Sequence, residues 1–301
     1  MNHQIHDVRQ SDAWAEYLTE IGWKTVTTSF GVKIFFRPSI FGSLVKIQRT
    51  TPLNEEHIKE IEETCLSKRA MFIKIEPGYG QDIGILENMG YKTSLFPMVP
   101  ATTIFIDLTL SEGELWNNVS KSGKYSIKRA EREGAKVEVY TNPGDKEFDI
   151  YYAILKETGT LKKFYVPPIK QLKKMRKSFG DKGHLAIVYE KDGSPAGAKY
   201  FIGSEDNALY VNGGTSGQGR NTKAGYALLW KSILFLKNAG YNLLDLEGKD
   251  DPRFPSFTKN WEGFSYFKEK FGGEEIEFPY PHVKYYSPII KSMVALTGMD
   301  I

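Results

Sequence analysis

Cysteine is almost missing from this chain: Cys65 is the only one in 301 residues. A lone thiol excludes an internal disulfide framework and fits a reducing, cytoplasmic setting, with Cys65 read as a small core filler. Long apolar runs are missing too. No stretch approaches the ~18 residues of a membrane-spanning helix, and residues 1–7 lack the apolar segment of a signal peptide. The histidines, His3, His6, His57, His184 and His282, never fall at a ligand spacing such as His-x-x-x-His. A metal enzyme is therefore discounted, and no metal or redox cofactor is implied. Nor does one sign of charge dominate, since the net charge is only +3.

What is present is the composition of a packed protein, 41% apolar and 26% charged, long enough for two ordinary domains or one large one. The charge is unevenly spread. Lys124, Lys128 and Arg132 recur every four residues on an expected helix and would share one face. Residues 162–177 hold seven basic side chains and no acidic one. Either block alone reads as a solvated helix face; two in a balanced chain favour a polyanionic partner, with phosphates the obvious candidates.

The periodicity predicts alternating strands and helices. Helices are expected at 12–21, 52–68 with Asn54 as N-cap, 81–89, and from Ser111, whose hydroxyl and Glu114 form a capping box. Strands are expected over 25–47, 71–75, 103–108 and 136–140. Asn142-Pro143-Gly144 breaks the chain and the pattern begins again, with helices at 148–158 and 169–179. The Asp192-Gly193 pair signals a hairpin between 184–189 and 195–202. The stretch 210–273 organises the second half: a strand, the turn-rich run 212–221, a helix over 224–238 closed by Gly240, and a buried strand at 242–246. Gly213, Gly214, Gly217 and Gly219 permit positive φ, so the run is expected to form a loop that receives an anion or a polarised carbonyl at a helix N-terminus. Two α/β halves of similar size follow, each a mixed sheet flanked by helices.

Several motifs resemble the Fem family, the peptidyltransferases that use aminoacyl-tRNA to build peptidoglycan interpeptide bridges. They are residues 103–108, Leu115-Trp116, residues 124–134, Gly197-Ala198, residues 212–215, the helix start at 226–230, Asp245-Leu-Glu-Gly248 and Phe267-Lys-Glu-Lys-Phe-Gly272. The resemblance spans nearly the whole chain. It implies an α/β fold of two tandem GNAT-like (acyl-CoA N-acyltransferase-like) domains, in the short form without a helical arm. The expected division is 1–145 and 146–278, with the tail 279–301 packing back on the first domain. The implied activity is cytoplasmic transfer of an amino acid from aminoacyl-tRNA to an amine of a peptidoglycan precursor, in cell-wall biogenesis.

Such chemistry needs a group to stabilise the tetrahedral oxyanion and a carboxylate to position or deprotonate the amine. The resemblance implies Lys268, in the Phe-Lys-x-x-Phe-Gly motif, near the tRNA acceptor end, for the first role or for ribose-phosphate contact. It implies Glu76, at a strand end where relatives carry Asp or Glu, for the second. Lys163 and Lys24 are candidates for binding the phosphate-bearing precursor, UDP- or lipid-linked, and Asn212 joins them as a substrate contact. Arg220 is added for its place at a helix N-terminus, and Lys124, Lys128 and Arg132 are candidate tRNA contacts. A lipid-linked substrate would bring peripheral membrane contact; DNA is not an expected partner. Two other readings stay open. An acyl-CoA-dependent N-acyltransferase would want an Arg/Gln-x-x-Gly-x-Gly/Ala loop, of which residues 214–219 have the glycines but not the leading Arg or Gln. A non-catalytic RNA-binding module needs only the basic blocks.

Overall fold

A computed structural model describes residues 6–297. His3 and the last four residues of the expected tail lie outside them. The chain forms two compact units, and their division differs from a cut at residue 145. The first comprises Met1–Thr103, Gly248–Trp261 and Ile276–Ile301; the second comprises Ile104–Glu247 and Glu262–Glu275. Residues 104–145 thus belong with the second unit. The reason is strand pairing: Phe105, Ile106 and Asp107 run antiparallel to Asp245, Leu244 and Leu243.

The first unit is built on a six-stranded sheet in the order Lys24–Thr27, Lys33–Ser39, Gly42–Gln48, Ala70–Glu76, His282–Tyr285, Lys92–Thr93. The hairpin strands alternate with loops that turn at Gly31 and Gly42, both at positive φ. Gly42–Gln48 and Ala70–Glu76 are parallel, in a register that sets Gln48 beside Glu76. The helix Glu55–Ser67 connects them. Asn54 caps it by accepting from the His57 N–H at 2.9 Å, and the His57 ring accepts from the Asn54 N–H at 3.4 Å, a reciprocal box made with histidine. Ile58, Ile61 and Cys65 recur at helical spacing and pack on Ile47, Ile73 and Ile75. Burial pushes the Cys65 thiol well up, as suits a core filler. The tail strand His282–Tyr285 inserts between Ala70–Glu76 and Lys92–Thr93.

The second unit holds a seven-stranded sheet in the order Glu274–Glu277, Thr102–Asp107, Leu243–Asp245, Asn207–Thr215, Pro195–Ser204, Gly183–Tyr189, Lys136–Thr141. Ala224–Asn238 forms over the expected residues, and Gly240 follows at φ 90°. It packs with Lys121–Arg132, whose Ile127 joins Leu228 and Ile233 in one core. The helix Asp145–Lys162 covers the opposite sheet face, where Phe148 and Tyr151 meet Tyr200. The Asp192-Gly193 hairpin forms, with Gly193 at φ 82°.

The glycine-rich run departs from expectation. Gly213 and Gly214 lie inside the strand Asn207–Thr215, Gly217 and Gly219 inside the short helix Gly217–Asn221, and none of the four has positive φ. Three of them are needed for close internal packing. A Cβ on Gly213 would stand 2.4 Å from Ala198 O, on Gly214 2.3 Å from Thr158 Oγ1, and on Gly219 2.5 Å from Ala196 O. It is the protein's own backbone and side chains, not a ligand, that approach there.

Candidate active site

Lys268 sits on the helix Glu262–Glu269 and is buried, although most lysines stay in water. Its amine donates to Glu247 O and lies over the Phe264 ring at 4.2 Å and the Tyr210 ring at 5.5 Å. Burial drops its pKa from 10.5 to about 7; the neighbouring Lys199 pushes the same way, while Glu247 and Asp245 oppose. A lysine poised there is part ammonium and part free amine near neutrality, which suits a group that lends a proton or hydrogen bond to developing charge.

Lys199 is the residue that sequence reasoning missed. Buried in the strand Pro195–Ser204, it donates to the Tyr210 hydroxyl at 3.0 Å and lies over the Phe267 ring at 4.9 Å. The signal was there: it is the one charge within the apolar run 196–202. Glu247 sits in the left-handed region at φ 51°, and the Asp245 carboxylate accepts from its N–H at 2.7 Å. That turn presents the Glu247 carbonyl to Lys268, which gives the Asp-Leu-Glu-Gly motif a physical task.

The Phe-Lys-x-x-Phe-Gly segment is held by neighbours on both sides. Phe267 and Phe271 pack on Tyr226 at ring distances of 4.9 and 5.9 Å. Lys270 O accepts from the Ser120 N–H at 2.9 Å, so the segment abuts the start of the basic helix. Gly123 is required there, because a Cβ would meet Lys270 O at 2.9 Å. Lys124 and Lys128 lie over the Trp116 ring at 5.9 and 5.8 Å, and Arg132 is exposed further along. Candidate tRNA contacts and Lys268 are thereby joined by one packed corner of the second unit.

Other candidates stand elsewhere. Asn212 accepts from the Tyr151 hydroxyl on the sheet face opposite Tyr210. The cause is a register shift between Tyr210 and Asn212, which pairs the first with Phe201 and the second with Tyr200. It therefore does not line the Lys268 site. Arg220 donates to Thr215 O at 2.5 Å, tying down its own turn. The helix N-terminus beside it is already filled, since the Gly219 N–H meets Ser216 Oγ at 3.1 Å and the Gly217 N–H meets the Glu157 carboxylate at 3.2 Å. The expected anion seat is thus taken by an acid of the chain. Lys163 is exposed, ending Asp145–Lys162 in a left-handed conformation. In the second basic block, Lys173 and Arg176 pair with Asp145 at 3.5 and 2.7 Å, so part of that positive charge is neutralised internally.

In the first unit, Lys24 is exposed at the head of an edge strand. Glu76 is fully buried at the end of Ala70–Glu76; Oε1 accepts from the Met98 N–H, and Oε2 is buried with no hydrogen-bond partner among the described residues. Burial holds its pKa above the usual carboxylate range, against the pull of Arg49, the Met98 N–H, Lys74 and Arg9. Arg49 is held at φ 52° by donating to Pro77 O and Pro100 O at 2.8 and 2.6 Å. Nearby Lys46 is lowered to about 8, first by burial and then by Arg9.

No family model matches the chain, and no curated protein matches it. Solved structures do. FemX is similar with a TM-score of 0.82 over 99% of this chain and 96% of that one, at 15% identity. The C-terminal domain of a putative lysylphosphatidylglycerol synthetase from Agrobacterium fabrum follows at 0.65, 16% identity, and coverage of 96% and 92%. A tandem GNAT protein from the clavulanic acid biosynthesis pathway gives 0.51, 11% identity, and coverage of 84% and 78%. The fold is therefore the tandem GNAT arrangement, two mixed α/β sheets flanked by helices. Within that class its architecture is Fem-like, matching FemX over essentially the full length of both chains.

Proposed function

We propose that this chain is an acyltransferase, and specifically one that moves an amino acid from aminoacyl-tRNA to an amine of a peptidoglycan precursor stem peptide. The observation that carries the reading is Lys268, a buried amine with a pKa of about 7, in a motif and a fold that both resemble Fem enzymes. In the reaction, the acceptor nitrogen bonds to the ester carbonyl carbon and loses a proton. The carbonyl oxygen becomes an oxyanion, then the bond to the ribose oxygen breaks and that oxygen takes a proton. The ammonium form of Lys268 stabilises the oxyanion and is a proton source for the leaving oxygen. Glu76, a carboxylate that holds a proton more readily than usual, is assigned to the acceptor amine. Lys124, Lys128 and Arg132 are assigned to the tRNA, and Lys24 and Lys163 to the precursor's phosphates.

The acyl-CoA reading is disfavoured by Glu157. A pyrophosphate seated at the Gly217–Asn221 N-terminus would meet a carboxylate already bound to the Gly217 N–H. The test supplies purified protein with a UDP-linked muramyl pentapeptide and either aminoacyl-tRNA or acetyl-CoA. Transfer from tRNA is expected, and Lys268→Ala should lower it roughly 10²–10³-fold, the usual loss of an oxyanion donor. Transfer from CoA alone would sink the reading.

A further inference from the structure

We infer that one end of the first unit is a docking surface for an anionic lipid bilayer. Three segments distant in sequence meet there. The Ser43 N–H donates to Arg69 O at 2.9 Å and the Ser43 hydroxyl to Lys68 O at 2.8 Å. The Tyr286 and Ser287 N–H groups both donate to Met71 O, at 2.8 and 2.9 Å. Met71 packs against Gly42, where a Cβ would come within 2.7 Å of it. The tip of the hairpin Lys33–Ser39/Gly42–Gln48, the turn after Glu55–Ser67, and the start of the helix Pro288–Thr297 are therefore neighbours.

All three present large apolar side chains to solvent. Ile40 and Phe41 at the tip are 83% and 75% exposed; Ile289, Met293 and Leu296 on the helix are 69%, 58% and 87% exposed. Residues 289, 293 and 296 share one helix face by their spacing. Leu66, in the last turn of Glu55–Ser67, adds a half-exposed side chain. Isolated exposed hydrophobics need no explanation, but a cluster drawn from three segments does.

The charges choose the occupant. Residues 37–43, 66–71 and 286–297 contain no Asp or Glu, whereas they carry Arg37, Lys68, Arg69 and Lys291. The guanidinium of Arg37 is directed to Ile21 O at 3.0 Å, which leaves Lys68, Arg69 and Lys291 beside the apolar cluster. Of the acids just before the turn, Glu62 is taken by Lys284 at 2.7 Å. A second copy docked on this face about a two-fold axis would set the same bases against one another. An anionic bilayer satisfies both features, taking apolar side chains at the headgroup–acyl boundary and bases against lipid phosphates. The helix lies on such a surface, since no helix among the described residues is long and apolar enough to cross a membrane. This surface does not depend on the transfer reaction.

The test is flotation of the full chain with vesicles of equal parts phosphatidylglycerol and phosphatidylcholine, against phosphatidylcholine alone, at low and high salt. Binding to the anionic vesicles is expected, roughly tenfold or more above the neutral ones and weakened by salt. Ile289→Ser with Met293→Ser and Leu296→Ser should abolish it. Ile40→Ser with Phe41→Ser, on a separate segment, should weaken it, as should Lys68→Glu with Lys291→Glu. All are surface changes, and each variant is checked by circular dichroism and melting. Absence of binding to anionic vesicles would overturn the proposal. So would binding that folded variants retain, or a concentration-dependent dimer that the same apolar variants dissociate.

Discussion

In each unit a charged group is buried near the end of an ordered element, Lys268 in one and Glu76 in the other, and the two have opposite chemistry. In the second unit an amine, Lys268, is enclosed by rings, with another cation, Lys199, nearby. In the first a carboxylate, Glu76, is enclosed among cations, yet burial still outweighs them. Both are held closer to neutrality than water would hold them, one pulled down and one pushed up. The difference lies in compensation. Around Glu76 four groups favour the charged form, while around Lys268 two carboxylates do so and Lys199 opposes. Burial alone does not make a titrating site; the balance of its neighbours sets how far the pKa moves.

That comparison yields opposite pH dependences of stability. The fall of the Lys268 pKa from 10.5 to about 7 means that the unfolded chain binds the extra proton between those values. Stability should therefore climb as pH rises through that window, and the cost below pH 7 is on the order of 5 kcal/mol. Lys268→Met removes the charge but leaves Glu247 O without this donor, which returns about 1–3 kcal/mol. The variant should unfold at higher denaturant than wild type at pH 6, and the gain should shrink towards pH 10. An equal gain at both pH values would show that the lysine is not titrating as its surroundings imply.

Glu76→Gln should show the reverse slope and a smaller effect, because its charged form is partly compensated. Its folded pKa lies above 4.5, so the folded state holds a proton that the unfolded chain has lost. The penalty is absent below pH 4.5 and grows as pH rises through the folded value. Glutamine mimics the protonated carboxyl, so the variant should melt with wild type at pH 4 and above it at pH 8. A lower melting temperature at pH 8 would mean that the surrounding cations depend on the charge, as a buried ion pair would require.

The same contrast separates what was legible in the sequence from what was not. Local signals held: the Ser111–Glu114 box, the Asp192-Gly193 hairpin and the helix Ala224–Asn238 all form where side-chain spacing and turn chemistry demand. Lys268 could be named from its motif, but nothing local said that its amine is buried. Lys199 went unnoticed because an isolated lysine in an apolar strand reads as an interruption. Asn212, expected in the turn-rich run, is a strand residue whose direction the sequence does not mark. Strict alternation puts it on the same face as Tyr210, and the irregularity at Val211 puts it on the other. The compact units differ from a cut at residue 145 because pairing of Thr102–Asp107 with Leu243–Asp245 leaves no mark in either segment alone. The glycine run misled because the same residue serves a left-handed turn and a tight internal contact; only the neighbouring backbone tells them apart.

The finest test of the comparison is Lys199→Met. Lys199 is second to burial among the causes that lower the Lys268 pKa, so removing its charge should raise that pKa by a fraction of the full displacement. If Lys268 acts as an ammonium group in the transfer step, the alkaline limb of the kcat profile should move to higher pH in the variant, with KM little changed. Lys199→Arg restores a charge, though not the geometry of the bond to Tyr210, and should return the limb most of the way. A merely structural Lys199 would lower kcat at all pH values and leave the limb in place. A shift towards lower pH would mean that Lys199 acts through Tyr210 and the packing over Phe267 rather than through its charge.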